Sequence, residues 1–130
     1  VQTAVESDRM KFILGAQNCH FEEKGAFTGE VAPSMLAKLN VALVIVGHSE
    51  RRELFGETDE VVNQKVLAVL KAGMTPILCC GETQSEREGG QAESKVDGQI
   101  RAGLKGVKPE QVGAMVIAFM LPIAHMIGRL

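Results

Sequence analysis

Tyrosine and tryptophan are absent from this 130-residue chain, and phenylalanine occurs only five times. Proteins that bind single-stranded nucleic acid stack bases on aromatic side chains, so this scarcity argues against that class. The chain also has no large excess of one charge, because 14 basic and 16 acidic residues leave a net charge of −2. A nearly neutral chain lacks the electrostatic footprint of a protein that binds nucleic acid or an anionic membrane surface. We therefore expect neither partner.

Cysteine is sparse as well: Cys19, Cys79 and Cys80 are three residues without a C-x-x-C spacing. Neighbouring residues of a strand point to opposite faces, so Cys79 and Cys80 cannot act together on one face. Buried thiols in a reducing, cytoplasmic compartment are therefore favoured over a disulfide or a metal site.

No apolar run reaches the roughly 20 residues that a membrane-spanning helix needs. The longest run, residues 114–128, is nearly all apolar and is broken by Pro122 and His125. Residues 1–10 are mostly polar or charged, so no signal-peptide core is predicted there. These features favour a soluble domain, with the apolar run as a buried strand and its continuation.

What the sequence does contain is four short apolar runs separated by stretches of helical periodicity. Each run is continuously apolar rather than alternating, which is typical of parallel strands buried on both faces. The four predicted strands are residues 12–16, 42–46, 76–80 and 115–119.

The stretches between the runs have helix signals. Residues 58–71 carry apolar side chains at helical spacing, with Thr58 placed to cap the start and Gly73 to end the helix. Residues 34–39 form a shorter helix candidate directly after a proline.

A capping-box pattern at Thr83 and Glu86 opens another helical region, which Gly89 and Gly90 interrupt before it continues towards Leu104. Strands and helices that alternate with right-handed crossovers indicate an α/β fold in a single domain over residues 1–130. Such a sheet leaves strand edges and one face open. Either a copy of the chain or the apolar tail, residues 120–130, could cover them.

A histidine directly follows the second predicted strand, in the sequence GHSERR at residues 47–52. The carboxyl end of a parallel strand is where α/β folds place their active sites. Ser49 can cap a helix with Glu50 in its first turn, and the positive end of a helix dipole disfavours a charged imidazole. A neutral His48 could donate a hydrogen bond to a carbonyl oxygen. A structural histidine bonded to the loop backbone is an equal alternative from this motif alone.

Longer motifs surround this histidine and the other strands. They are GAQN (15–18) with GAFTGE (25–30), VGHSERR (46–52) with FGETDE (55–60), PILCCGE (76–82) with ERE (86–88), and VIAF (116–119). In this order and spacing they resemble strands three to six of the triosephosphate isomerase family, over roughly residues 10–119. The resemblance implies a partial (half) TIM-type β/α barrel with about four parallel strands. It also implies an aldose–ketose isomerase of glycolysis, interconverting glyceraldehyde 3-phosphate and dihydroxyacetone phosphate without metal or organic cofactor.

The resemblance assigns catalytic roles to two residues. His48 would polarise the substrate carbonyl and shuttle a proton between its oxygens, and this family is itself the standard example of a neutral histidine at a helix N-terminus. Glu50 would belong to the hydrogen-bond network of the active site. Cys79 matches a buried cysteine near the catalytic base, for which packing is the favoured role.

The resemblance also implies a subunit interface. Thr28 lies at the tip of a loop that, in the family, inserts into the neighbouring subunit and completes its site. Asn18, Arg51 and Glu57 match positions that support the interface and the histidine loop. We therefore expect self-association, as a homodimer or larger, with a triose phosphate as the possible ligand.

The chain departs from the family after the fourth predicted strand. The family reads Y-E-P-x-W-A-I-G-T-G, whereas Met120 or Leu121 stands here in place of the glutamate that removes the substrate proton. A thioether or alkyl group cannot take a proton, and His125 is only a minor candidate for a substitute base.

Other parts of the barrel have no counterpart in this sequence: the first strand, and the last two strands with their phosphate-binding loops. A full barrel has about 250 residues. We expect weak or no isomerase activity; the alternative is a non-catalytic, self-associating half-barrel module. Whether another chain supplies the missing strands stays open.

Overall fold

The computed structural model of the chain describes residues 2–7 and 11–121. Its strands are β1 Gly15–Ala16, β2 Leu43–Val46, β3 Thr75–Cys80 and β4 Val116–Phe119. Its helices are α1 Gln2–Ser7, α2 Pro33–Lys38, α3 Ser49–Leu54, α4 Asp59–Lys71, α5 Gln84–Glu88, α6 Ala92–Gly103 and α7 Pro109–Val112. The strands form one four-stranded parallel sheet in the order β1-β2-β3-β4. The predicted partial α/β barrel fold, with four parallel strands and flanking helices, is confirmed.

The two central strands, β2 and β3, match the predicted runs. The outer two differ from the prediction in length or in burial. The first run, residues 12–16, forms only the two-residue β1, and Phe12 and Ile13 are 70% and 74% exposed. In β4, Val116 and Phe119 are 45% and 52% exposed. The prediction that all four strands are buried on both faces was therefore wrong. Among the described residues, β1 and β4 are the edge strands of the sheet, and an edge strand has a neighbour on only one side.

The core lies between one face of the sheet and the helices. Val44 and Val46 of β2 and Leu78 of β3 are almost completely buried, and they pack against Val62 and Val66 of α4 together with further apolar side chains. Helix α6 approaches the same face so closely that a Cβ at Gly103 would lie 2.9 Å from a methyl group of Leu78. The helices therefore cover the face to which these three residues point.

Helix boundaries follow the predicted capping residues. The Thr58 side chain accepts a hydrogen bond from the backbone N–H of Val61 at 3.4 Å, and Gly73 takes φ +77° just beyond the end of α4. Thr83 and Glu86 form the predicted capping box at α5, and α6 follows the glycine pair. The helix predicted over residues 34–39 runs instead from Pro33 to Lys38, because proline suits the first turn of a helix.

Two predictions fall partly or wholly beyond this structure. Of the apolar tail, residues 120–130, only Met120 and Leu121 lie within the described residues, and His125 lies outside them.

In the part of the chain that the structure describes, no helix has the length and apolar character needed to cross a bilayer.

Candidate active site

His48 lies where the chain turns from β2 into α3. The turn begins at Gly47, whose φ of +72° is a left-handed conformation that glycine adopts without strain. The imidazole itself caps the helix, because its Nδ1 accepts a hydrogen bond from the backbone N–H of Glu50 at 3.3 Å. The prediction that Ser49 caps this helix was wrong: Ser49 is the first helical residue, and His48 has the extended ψ of 141° that places a side chain over the first turn.

This hydrogen bond fixes the orientation of the imidazole. A neutral histidine that accepts at Nδ1 carries its proton at Nε2, so Nε2 is the atom available to donate. The carboxylate of Glu50 lies 3.8 Å from Nδ1, beyond hydrogen-bond distance, and is largely exposed. Within the described part of the chain, the Nε2–H of His48 therefore has no protein acceptor and lies at the carboxyl end of the sheet.

Three residues predicted from the resemblance meet in a buried ionic network. Glu57 Oε1 accepts from Arg51 Nε and from Lys65 Nζ, both at 2.5 Å. Lys65 Nζ also donates to Asn18 Oδ1 at 2.8 Å, which joins the loop after β1 to α4. Arg51 belongs to α3, so the same network holds the helix that His48 caps. The structure thus brings Asn18, Arg51 and Glu57 together beside the histidine loop.

Lys65 is the member of this network that we did not predict from the sequence. Its side chain is 4% exposed, although lysine is almost never fully buried without a partner. The sequence did contain a sign that Lys65 is buried. Lys65 lies three residues after Val62 and directly before Val66, which places it on the apolar face of the helix. A lysine on that face predicts a buried carboxylate elsewhere in the chain.

Burial and the neighbouring positive charges shift the pKa of Glu57 in opposite directions. Burial alone would raise its pKa, but the hydrogen bonds and positive charges of Lys65 and Arg51 outweigh that cost and hold the pKa below its ordinary value. Glu57 is therefore ionised at neutral pH. Its second oxygen, Oε2, has no hydrogen-bond partner among the described residues, so the network depends on the two cations.

The three thiols are free and buried, as predicted. Burial raises the pKa of Cys79 and Cys80, and it raises the pKa of Cys19 to about 11 even though Lys65 acts against it. Protonated thiols are poor nucleophiles and poor metal ligands. Their positions agree with a packing role.

Arg52 clamps the turn that presents His48, and sequence reasoning missed it. Its Nε donates to the carbonyl of Gly47 at 2.8 Å, and its Nη1 donates to Asp59 Oδ1 at 2.6 Å. One planar guanidinium thus joins the residue before His48 to the first residue of α4. Two different nitrogens make these contacts, so only the forked guanidinium of an arginine can make both at once.

Arg52→Lys is expected to lower the free energy of unfolding by about 1–3 kcal/mol, because an ammonium cannot reproduce both charge-assisted hydrogen bonds. Urea unfolding followed by circular dichroism measures the loss. The matched control is Arg101→Lys, whose partner Asp97 lies on the surface of α6; solvent and salt screen that ion pair, so its loss should be smaller. Equal losses in the two variants would mean that the Arg52 clamp adds no stability.

Glu50 lines two of the clefts that open at the carboxyl ends of the strands. The first, of about 360 Å³, is also lined by Asn18 and His48. The second, of about 640 Å³, is also lined by Glu82, Met120 and Leu121. Met120 is held at this edge because its backbone N–H donates to the carbonyl of Cys80 at 2.7 Å.

Glu82 is a second buried carboxylate that the sequence analysis did not identify. Its side chain has no exposed surface, and its Oε1 accepts from Arg87 Nε at 2.6 Å. Its Oε2 has no hydrogen-bond partner in the described part of the chain. This carboxylate sits directly after β3, on the wall of the larger cleft.

Thr28 stands apart from this constellation. It lies in an exposed loop between β1 and α2, closed at its base by a hydrogen bond of 2.9 Å from the backbone N–H of His20 to the carbonyl of Val31. The ring of Phe27 packs on His20 at 4.4 Å between centroids. The loop is therefore shaped by its own side chains and presents Thr28 outward.

Taken together, the described side chains supply an imidazole N–H as a hydrogen-bond donor at the smaller cleft. Within residues 2–7 and 11–121, no group of three or more histidine, cysteine or acidic side chains is placed to hold a metal ion. A neutral imidazole at the mouth of a cleft can stabilise negative charge on a carbonyl oxygen.

Comparisons with known proteins match the sequence of this chain to a family. The family model described as triosephosphate isomerase matches residues 1–123. The triosephosphate isomerase of Clostridium perfringens is 55% identical over 119 residues, which are 92% of this chain and 47% of the relative. Those of Herpetosiphon aurantiacus and Clostridium botulinum are 56% identical over 106 residues, 82% of this chain and 42% and 43% of the relatives. The chain spans about half the length of the curated relatives that it matches.

Proposed function

This chain belongs to the triosephosphate isomerase family, and from that premise we propose that it retains the carbonyl-polarising half of a triose phosphate isomerase site. In this proposal the ligand is a triose phosphate, the compartment is the cytoplasm, and turnover by this chain is weak or absent. The observation that supports it most is the Nδ1 hydrogen bond of His48, which leaves Nε2–H to donate.

His48 acts as the electrophile. Interconversion of an α-hydroxy aldehyde and an α-hydroxy ketone removes a proton from the carbon next to the carbonyl, and negative charge develops on the carbonyl oxygen. A preorganised N–H donor at that oxygen stabilises the transition state, where the charge is largest. Glu50 contributes its backbone N–H, which donates to Nδ1 of His48.

The proton acceptor is what this chain lacks at the expected position. Met120 and Leu121 line the larger cleft together with Glu50, but neither side chain can accept a proton. Loss of a general base lowers the rate by roughly 10²–10⁴-fold. His125 lies outside the described residues, so nothing in the geometry supports it as a replacement.

A coupled assay of glyceraldehyde 3-phosphate turnover, with wild type and His48→Ala purified side by side, tests the level of activity. We expect both to give the same background rate. Turnover that disappears with His48 would contradict the proposal of weak or absent activity, and His125→Ala would then show whether that histidine is the base.

Ligand binding tests the electrophile separately from turnover. In histidine-selective NMR spectra, titration with dihydroxyacetone phosphate is expected to shift the imidazole signals of His48 and leave those of His20, which is stacked on Phe21 and Phe27, unchanged. Unchanged His48 signals at millimolar ligand would contradict the proposed role.

A second candidate function is a non-catalytic module that self-associates. It is favoured by exposed apolar side chains at the two sheet edges, namely Phe12 and Ile13 just before β1 and Phe119 in β4. The outward loop that carries Thr28 favours it as well. In this proposal the family's interface residues keep a role although the reaction is lost.

A further inference from the structure

Arg52 connects the turn that carries His48 to the start of α4. Its Nε donates to the carbonyl oxygen of Gly47 at 2.8 Å, and its Nη1 donates to Asp59 Oδ1 at 2.6 Å. The side chain is only 16% exposed, so water competes little for these two bonds. The residue before the imidazole is therefore held by a cation that is itself anchored on another helix.

The guanidinium occupies space that Gly47 leaves open. A Cβ built on Gly47 would lie 3.0 Å from Arg52 Nη2 and 3.2 Å from the carbonyl oxygen of Cys79. Nη2 is buried and has no hydrogen-bond partner among the described residues. Burial raises the pKa of the Cys79 and Cys80 thiols, and the positive charge of Arg52 acts against it. The guanidinium therefore lies between the carboxyl ends of β2 and β3.

The bond to the Gly47 carbonyl fixes the peptide unit that leads into His48. A peptide unit is planar, so holding its oxygen also fixes the plane that contains the N–Cα bond of His48. From that backbone, with φ −54° and ψ 141°, Nδ1 of His48 accepts from the backbone N–H of Glu50 at 3.3 Å. The peptide plane and the Nδ1 bond together determine where Nε2–H points.

Asp59 extends this connection to the core. It is the first residue of α4, in which Val62 and Val66 are completely buried. Without Asp59, the guanidinium would keep the Gly47 carbonyl as its single hydrogen-bond acceptor within the described residues. A planar group held at one point can rotate about that bond, whereas one held at two points cannot.

We propose that Arg52 is a positioning residue for His48, which sets the direction in which the imidazole donates, and that Asp59 holds Arg52 in place. This inference rests on the function proposed above, in which His48 binds the carbonyl oxygen of a triose phosphate. Hydrogen bonds weaken steeply as the donor angle falls towards about 120°. A turned imidazole therefore loses affinity for the ligand although Arg52 itself does not touch it.

Arg52→Met removes every donor of the guanidinium and keeps an unbranched side chain. Titration with dihydroxyacetone phosphate, followed by the imidazole NMR signals of His48, measures the dissociation constant. We expect roughly 3- to 10-fold weaker binding, the contribution of one hydrogen bond. The nitrogen signal of Nδ1 should shift even without ligand, because the turn no longer aligns Nδ1 with the Glu50 N–H. Arg52→Lys, which keeps the charge and one donor group, should lie between wild type and Arg52→Met.

Asp59→Ala tests the second anchor at a distance from the turn. It leaves Arg52 in place and removes one of its two acceptors, so the His48 signals should move in the same direction as in Arg52→Met, by a smaller amount. The matched control is Glu60→Ala, the next residue of the same helix, whose carboxylate bonds to Thr58. This control should leave the His48 signals unchanged.

Gly73→Ala controls for a general loss of stability. Gly73 has φ +77°, and a Cβ added there would meet no atom within 4 Å. The variant strains the backbone without contact to the turn, so its dissociation constant and its His48 signals should equal those of wild type. A change in the His48 signals of Gly73→Ala as large as that in Arg52→Met would overturn the positioning role.

The remaining outcomes separate this inference from the function on which it rests. Wild-type His48 signals that do not respond to dihydroxyacetone phosphate would overturn the proposed function and this inference together. A wild type that binds, with an equal dissociation constant and unchanged imidazole signals in Arg52→Met, would overturn the positioning role alone. Equal shifts in Asp59→Ala and Glu60→Ala would overturn the role of Asp59. Circular dichroism establishes that each variant is folded, and the Asp59 and Glu60 pair still decides the inference if Arg52→Met is not.

Discussion

Lys65→Met is expected to lower the free energy of unfolding by about 3–5 kcal/mol, because it removes one partner of a buried ion pair. The ammonium group is 2.5 Å from Glu57 Oε1 and 2.8 Å from Asn18 Oδ1. Without it, Glu57 keeps only Arg51, and its Oε2 already has no partner among the described residues. Methionine fills a similar volume, so the loss reports on charge and hydrogen bonding more than on packing.

The matched control is Lys71→Met, on the same helix but exposed, which should change stability by no more than about 0.5 kcal/mol. A double-mutant cycle with Glu57→Gln isolates the pair, since the double variant should lose less than the sum of the single losses. Identical urea midpoints for Lys65→Met and Lys71→Met would contradict the interpretation that the buried lysine stabilises the network.

Lys65→Met should also change how the stability of the chain depends on acidic pH. Because the pKa of Glu57 is lowered in the folded chain, ionisation of this group contributes stability above the ordinary glutamate pKa of about 4.3 and is lost as the pH falls below it. Lys65→Met removes the largest hydrogen-bond contribution to that lowered pKa. Its stability should therefore depend less on pH in this acidic range than that of wild type.

The central part of the fold could be predicted because its signals are local. Continuous apolar runs identified β2 and β3, and Thr58 and Gly73 marked both ends of α4. The first run failed because residues 12–14 have the composition of a buried strand, whereas whether they are buried depends on what pairs with β1. That information lies in contacts between distant parts of the chain, or between chains.

In the candidate site, too, residues marked by local sequence patterns could be predicted, and residues defined by distant contacts could not. His48 could be found because a histidine after a buried strand is a local pattern, and the family motif extends around it. The cap was misassigned to Ser49 because serine is the commoner capping residue, and only the backbone angles of His48 reveal the imidazole as the acceptor. Lys65 was missed because its partner Asn18 is 47 residues away. Arg52 was missed because one of its two acceptors is a backbone carbonyl, which the sequence does not mark.

Gly47→Ala is expected to lower the free energy of unfolding by roughly 2–5 kcal/mol, from two effects that add. A left-handed conformation costs an alanine about 1–2 kcal/mol, and Gly47 has φ +72°. The new Cβ would also lie 2.9 Å from a methyl group of Val62, 3.0 Å from Arg52 Nη2 and 3.2 Å from the Cys79 carbonyl oxygen. Overpacking of this kind adds about 1–3 kcal/mol.

Gly73→Ala separates the two effects, because Gly73 has nearly the same φ, +77°, but a Cβ added there would meet no atom within 4 Å. It should therefore show the conformational loss alone, about 1–2 kcal/mol, and leave the NMR signals of the His48 imidazole unchanged. Gly47→Ala should shift those signals, since relief of the crowding must move the turn or the Arg52 clamp. Equal destabilisation by the two variants, with His48 undisturbed in both, would mean that the crowded turn does not position the imidazole.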